Sequence, residues 1–206
     1  MRYELKYFVP EDDLFKCLAI VRQHPASFVQ AFPDREVNNI YLDSPDRVSY
    51  LEGQSGISQR RKYRIRWYGA WQNITDPVLE VKIKENQLGT KRHVLIPSFS
   101  VLDLPNVLEG LRETCQIPMS FDVSALNRYN RSYYRSFCGK FRITIDHNLM
   151  TSLPLGDLSK PTTPNGMIIL ELKYEASDDD KADWIRQFIP LQRSKFSKYS
   201  KAFRSF

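Results

Sequence analysis

Along most of this chain, apolar and charged residues alternate with a period of two, the spacing at which successive side chains of a β-strand point to opposite faces. The pattern predicts strands over Arg2 to Val9, Val37 to Leu42, Lys62 to Tyr68, Val78 to Lys84, Lys91 to Ile96, Leu126 to Ser136, Phe141 to Asp146 and Met167 to Tyr174. Asn86-Gln87-Leu88-Gly89-Thr90 separates two of these runs and offers a glycine for a short hairpin loop, so the flanking strands are expected to be antiparallel neighbours. Helical spacing is confined to Glu11 to Gln23, Ser44 to Glu52, Ser100 to Cys115 and Asp178 to Phe188. The last of these opens on Ser177-Asp178-Asp179-Asp180, which supplies N-cap candidates and negative charge at the positive end of the helix dipole.

The polar half of the alternation is unusual in content. One face of 62–66 is Lys62, Arg64 and Arg66, and the other is Tyr63 and Ile65. Arg2, Glu4 and Lys6 alternate with Tyr3 and Leu5; Glu80, Lys82 and Lys84 with Val81 and Ile83. Arg142, Thr144 and Asp146 alternate with Ile143 and Ile145, and Glu171 and Lys173 with Leu170 and Leu172. A single strand of this kind commonly has one face in water. Repetition across five strands, with Arg, Lys and Glu in place of Thr, Ser and Gln, points to a sheet whose charged faces turn inward while helices cover the apolar faces from outside. Eight strands are enough to close such a sheet.

Length and charge fit that picture. A chain of 206 residues with 42% hydrophobic residues suits one well-cored domain, 1–206, without an obvious linker. The formal charge of +6 makes an anionic partner reasonable. No apolar run approaches the roughly 20 residues of a membrane-spanning helix, and the amino terminus lacks a signal-peptide core, so the expectation is a cytoplasmic protein that does not itself insert in a membrane. Cys17, Cys115 and Cys138 are odd in number and far apart, which suits packed thiols, and His24, His93 and His147 are too scattered for a metal cluster.

An inward face rich in cations is costly when empty and is relieved by a polyanion. Arginine meets phosphate with a planar fork, and lysine adds a mobile point charge. No Gly-rich Walker loop, kinase signature or dinucleotide fingerprint is present, so phosphates would be held by side chains. The aromatics fall on the face opposite the cations, which suits core packing better than base stacking and argues against a nucleic-acid partner. Glu171 is a candidate for a divalent ion shared with phosphate oxygens; for Glu4 and Glu80, ion pairing is at least as good a role. Lys195, Lys198 and Lys201 share one side of a helical turn and either guard a mouth of the site or form a solvated tail.

Arg2-Tyr3-Glu4-Leu5-Lys6-Tyr7, Ile40-Tyr41-Leu42-Asp43, Lys62-Tyr63-Arg64-Ile65-Arg66, Leu79-Glu80-Val81-Lys82, Tyr129-Asn130-Arg131, Phe141-Arg142-Ile143-Thr144-Ile145-Asp146, Leu170-Glu171-Leu172-Lys173 and Lys195-Phe196-Ser197-Lys198-Tyr199 occur in order. Together they resemble the VTC domain, the polyphosphate-polymerase branch of the CYTH-like triphosphate tunnel metalloenzymes, over nearly the whole chain. The resemblance implies an α+β fold built on a closed antiparallel eight-stranded β-barrel with helices packed outside. It also implies transfer of the terminal phosphate of ATP to inorganic polyphosphate with Mn²⁺ or Mg²⁺, in a basic tunnel.

Carried over motif by motif, it places Lys6, Arg64, Arg66, Lys82, Lys91, Arg131 and Arg142 on phosphate, Glu171 on metal, and Lys195 and Lys198 near the tunnel end. Of these, Lys6, Arg64, Arg66, Arg131, Arg142 and Glu171 would surround the reacting groups. Hydrolytic tunnel enzymes open with Glu-x-Glu-x-Lys, whereas this chain has Arg2-Tyr3-Glu4-Leu5-Lys6 and loses the first acid. A tunnel triphosphatase or polyphosphatase, and a polyphosphate-binding module without turnover, are the alternatives. A membrane partner that receives the polymer is left open.

Overall fold

The computed structural model describes residues 2–85, 88–154, 158–194 and 197–203. In chain order the elements are β1 (Arg2–Pro10), α1 (Leu14–Arg22), β2 (Val29–Asp43), α2 (Val48–Ser55), β3 (Gln59–Tyr68), β4 (Asn73–Ile74), β5 (Val78–Glu85) and β6 (Leu88–Leu95). They continue as β7 (Phe99–Ser100), α3 (Leu104–Cys115), β8 (Asp122–Arg135), β9 (Arg142–Ser152), β10 (Thr163–Pro164), β11 (Met167–Glu175), α4 (Asp179–Gln187) and α5 (Lys198–Ala202). The class is α+β, as the alternation predicts.

The main sheet has nine strands in the order β1-β11-β9-β8-β2-β3-β5-β6, with β10 pairing β9 off that path. The expected closed eight-stranded barrel is not what forms: among the described residues no pairing joins β1 to β6, and the sheet is an open path. The outer edge of β1 is taken by the chain after α4, through a bridge between Tyr7 and Arg193 and a hydrogen bond from the Ser194 N–H to the Lys6 carbonyl. That segment satisfies backbone groups that closure would have used. The 78–95 hairpin is antiparallel as expected, with Glu85 opposite Leu88; Asn86 and Gln87 of its loop lie outside the described residues.

The two strands that exceed their predicted length most, β2 and β9, do so for identifiable reasons. β2 begins at Val29, but its first residues are all exposed and include Pro33, so they carry no period-two signal. β9 runs on to Ser152 through Asn148, whose φ of 51° breaks the regular alternation. Helix α2 begins four residues later than the pattern predicts. Arg47 is left-handed at φ 56°, and the Asp43 carboxylate and Ser44 hydroxyl accept the first helical N–H groups, those of Val48, Ser49 and Tyr50.

The chain divides into two compact units. The first comprises Met1–Arg35, Tyr129–Leu149 and Pro164–Phe196. Its core joins the apolar faces of β1, β9 and β11 (Leu5, Tyr7, Ile143, Ile145, Leu170, Leu172) to Cys17 and Val21 of α1 and Ala182 and Ile185 of α4. The second comprises Glu36–Arg128, Met150–Thr163 and Ser197–Phe206. There Ile65 and Trp67 of β3 and Leu79 of β5 pack on Leu104, Leu108 and Leu111 of α3. In both units a helical layer covers the apolar strand face, which leaves the charged face for other work.

Not every helix lies on the apolar side. In the second unit Tyr199 of α5 stacks on Tyr41 of β2, with ring centroids 4.9 Å apart, and Tyr41 is directly opposite Arg64. Helix α5 therefore sits against the charged face, a correction to the expectation that all helices pack outside. Cys17 and Cys115 are buried thiols as expected, but Cys138 is exposed in the turn before β9. Among the described residues no helix is long and apolar enough to cross a membrane.

Trp71 reports on the second core. It is 2% exposed, its ring lies 5.0 Å from Trp67, and its indole N–H donates to the Leu158 carbonyl at 2.8 Å. Trp71→Ala is expected to cost about 3–5 kcal/mol. Urea unfolding would show a lower midpoint at unchanged slope, and a loss below about 1 kcal/mol would contradict this packing.

Candidate functional site

In the first unit, register sets the charged face. Lys6 on β1 stands opposite Glu171 on β11, and Glu171 opposite Thr144 on β9, so the three form one row across neighbouring strands. The next row is Glu4, Lys173 and Arg142. This is not an ordinary solvated face: Glu171 is 5% exposed and Asp146, on the same face, is fully buried.

Glu171 is ringed by cations. Lys173 Nζ lies 2.8 Å from its Oε2, Lys6 Nζ 3.5 Å from Oε1, and Arg131 Nη2 3.9 Å from Oε2. Arg131 spends its fork on Asp146, donating from Nε and Nη2 at 2.5 and 2.7 Å. Burial alone would lower the Arg131 pKa, but Asp146, Tyr129 and Glu171 together outweigh it and raise the guanidinium further above its ordinary value. Arg131 thus lies beside Glu171, with its fork turned to Asp146. Arg142 shares the face but is exposed, opposite Lys173.

The chemistry of the donor set tests the metal expectation. Among the described residues no group of three or more His, Cys, Asp or Glu could hold an ion. Glu171 is a single carboxylate, and the buried Thr144 hydroxyl opposite it has no hydrogen-bond partner among the described residues. One carboxylate and one neutral oxygen suit a hard divalent cation whose remaining ligands are phosphate oxygens and water. The residues fit a metal that arrives with substrate and do not form a protein cage.

In the second unit the face is built on β2, β3, β5 and β6. Tyr41, Arg64, Glu80 and His93 form one row, and Lys62, Lys82 and Lys91 the next. Glu80 takes the role of ion pairing. Arg64 donates to its Oε2 from Nε at 2.8 Å and also from Nη2, while Arg66 Nη1 lies 3.4 Å from Oε1. Arg66 Nε donates to Asn39, whose own amide donates to the buried Asn127 at 2.8 Å. The two arginines are therefore held in fixed orientation. Burial pushes the Glu80 carboxyl up, but Arg64, Arg66 and, further off, Lys91 more than reverse this and hold it at about 2.

The carboxyl-terminal motif is part of this unit. Ser197 caps α5, accepting from the Ser200 N–H, and Lys198 is 8% exposed rather than solvated. Tyr199 donates its hydroxyl to Asp43 at 2.5 Å and lies 3.0 Å from the Ser124 hydroxyl. Burial and the bond to Asp43 push its phenol well above the ordinary range, so it stays a neutral donor. Lys195 lies outside the described residues.

The structure adds residues that the motif reading did not select: Asp146 and Thr144 beside Glu171, Asn39 and Asn127 behind Arg66, and the Asp43–Tyr199 pair. The signal for Asn39 was available, since Asn38-Asn39 interrupts an otherwise apolar strand. His24, by contrast, is a core residue, with Nε2 3.0 Å from the Ile185 carbonyl and Nδ1 accepting the Ala26 N–H.

The chain is thus α+β, with an antiparallel sheet, helices on apolar strand faces and cations on the charged ones. The VTC domain family matches residues 1–206, and the chain belongs to that family. Among curated proteins none matches. Similar solved structures include a Vibrio parahaemolyticus protein assigned as an adenylate cyclase, with 17% identity, TM-score 0.55, and coverage of 98% of this chain and 97% of that one. A Bacillus halodurans protein with the same assignment has 14% identity and TM-score 0.57, covering 98% and 97%. A Hippeastrum protein assigned as an adenylyl cyclase, and described as having a dominant triphosphatase activity, has 14% identity and TM-score 0.58, covering 99% and 96%. At these identities the likeness is one of fold.

The Glu80 cluster has a pH signature. Its folded pKa of about 2 is below the ordinary 4.5, so the stabilisation is complete above about pH 4.5 and is lost as pH falls towards 2. The loss amounts to roughly 3 kcal/mol. Urea midpoints measured from pH 5 to pH 2 are expected to fall more steeply in the parent chain than in Glu80→Gln; equal slopes would show that Glu80 is not clamped.

Proposed function

We propose that this chain is a metal-dependent polyphosphate polymerase that transfers the terminal phosphate of ATP to the end of an inorganic polyphosphate chain. The observation that carries the reading is that in each unit a buried carboxylate on a strand face is shared by several cations: Glu80 by Arg64 and Arg66, and Glu171 by Lys6, Lys173 and Arg131. Membership of the VTC domain family and the fold shared with triphosphate-tunnel proteins support phosphate chemistry. The chain is read as one domain, 1–206, acting in the cytoplasm, with ATP and polyphosphate as partners and no nucleic acid.

Phosphoryl transfer asks the protein mainly to position the phosphates and offset their charge. Arg64 and Arg66, fixed through Glu80 and Asn39, would present oriented donors to the triphosphate oxygens, and Lys6, Lys82, Lys91, Arg131 and Arg142 would add charge along the chain. Lys195 and Lys198 would hold the phosphates that extend past the reacting group. Glu171, with Thr144 opposite it, would hold Mn²⁺ or Mg²⁺, which when bound draws charge from the phosphate oxygens. The acceptor is a phosphate end already anionic near neutral pH, so no general base is required.

The hydrolytic alternative has one observation in its favour, the triphosphatase activity described for the Hippeastrum protein. Against it stands Arg2. This residue occupies the position of the first acid of hydrolytic tunnel enzymes and pairs with Glu175 at 2.6 Å, so β1 brings only Glu4 to the face.

ATP supplied with Mn²⁺ or Mg²⁺ is expected to yield phosphate chains resolvable on a gel, with ADP released in step. Free phosphate without chain growth would overturn the polymerase reading in favour of the hydrolase, and unchanged ATP under every metal would leave only a binding module. Arg64→Ala and Glu171→Gln are each expected to lower turnover by about a hundredfold or more. Turnover within about threefold of the parent in either variant would remove that residue from the site.

A further inference from the structure

Behind Arg66 a line of three side chains crosses neighbouring strands of the second unit. Asn127 lies on β8, Asn39 on β2 and Arg66 on β3, and these strands are adjacent in the sheet order. Asn39 stands directly opposite Arg66. Both amides are buried, Asn39 fully and Asn127 to 1% exposure. Asparagine is depleted in strands, so two of them buried side by side call for a reason.

The direction of each hydrogen bond in the line is fixed by its first member. A guanidinium only donates, so the Asn39 oxygen faces Arg66 Nε, 2.9 Å away. That leaves the Asn39 amide nitrogen to donate to the Asn127 oxygen at 2.8 Å. The Asn127 amide nitrogen then ends the line, with no hydrogen-bond partner among the described residues. A buried donor left without a partner lowers stability, so folding alone does not account for the line.

Its effect on Arg66 does. The Nε of Arg131 meets the Asp146 carboxylate, whereas the Nε of Arg66 meets an amide, which orients the guanidinium without adding charge. Arg66 also approaches Glu80, with Nη1 3.4 Å from Oε1, but that acid is shared with Arg64, which donates to its other oxygen. A carboxylate in place of the Asn39 amide would place a further anion on Arg66 and divert its charge from an anionic ligand.

We propose that Asn39 and Asn127 are positioning residues for Arg66, forming a neutral relay that fixes the guanidinium while leaving its charge for the phosphate undergoing transfer. The role rests on the phosphate-transfer reading above and extends it to Asn127, which acts through Asn39.

Steady-state turnover of ATP by the full chain, with a melting temperature recorded for each variant, tests this directly. Asn127→Ala is expected to lower kcat about tenfold, with KM for ATP changed less than about twofold. In an Arg66→Ala background the same substitution should change kcat less than about twofold, because the group it positions is gone. Asn39→Asp keeps an acceptor for Arg66 Nε, and the Asn127 amide can turn to donate to it, so its melting temperature should not fall; its kcat should still drop about tenfold. Parent-like kcat in Asn127→Ala, or a loss that repeats in full without the Arg66 guanidinium, overturns the relay alone. Parent-like kcat in Asn39→Asp does the same, and decides the matter even where Asn127→Ala does not fold. A parent chain that leaves ATP unchanged overturns the phosphate-transfer reading and the relay with it.

Discussion

The constraint on which the rest of this structure depends is electrostatic: strand faces crowded with arginine and lysine must be neutralised by carboxylates that are themselves nearly buried. Glu80 and Glu171 each serve several cations at once. Removing a carboxylate from water is costly, and the cost is recovered only where charged partners and hydrogen bonds surround it. Both acids meet that condition. On the second unit's face Lys62, Lys82 and Lys91 stand in register in the row beside Arg64 and Glu80.

The apolar faces explain how such a charged surface is carried at all. Because each strand is two-sided, the residues between the cations form the cores: Tyr63, Ile65 and Trp67 in one unit, and Leu170 and Leu172 in the other. The helices α1, α3 and α4 are committed to those cores, whereas α5 packs on the polar side through the Tyr199 phenol, with Ala202 and Phe203 beside it. Tyr199 links Asp43, which also holds the start of α2, to the face that carries Arg64 and Lys62. Arg64 and Arg66 are oriented by Glu80 and Asn39, Arg131 by Asp146, and Lys6 and Lys173 stand against Glu171.

Much of this was legible in the sequence because alternation is a local property. Every one of the eight predicted strands exists, and the pairing of Lys62, Arg64 and Arg66 on one face follows from spacing alone. The limits were equally physical. Whether the sheet closes depends on its outer edge, and the segment around Arg193 and Ser194 that occupies β1 gives no periodic signal. The partner of a buried acid is also set by register: nothing local assigns Arg131 to Asp146 or Arg64 to Glu80. Thr144 became notable only when its hydroxyl was found buried opposite Glu171.

The central claim is that the cationic faces are incomplete without a polyphosphate ligand, and ligand-dependent stability tests it most directly. Melting temperature would be recorded with and without tripolyphosphate at low and high salt. The account predicts a rise at low salt, corresponding to about 2.7 kcal/mol at a hundredfold excess over the dissociation constant and shrinking as salt increases. An unchanged melting temperature at saturating tripolyphosphate would contradict it.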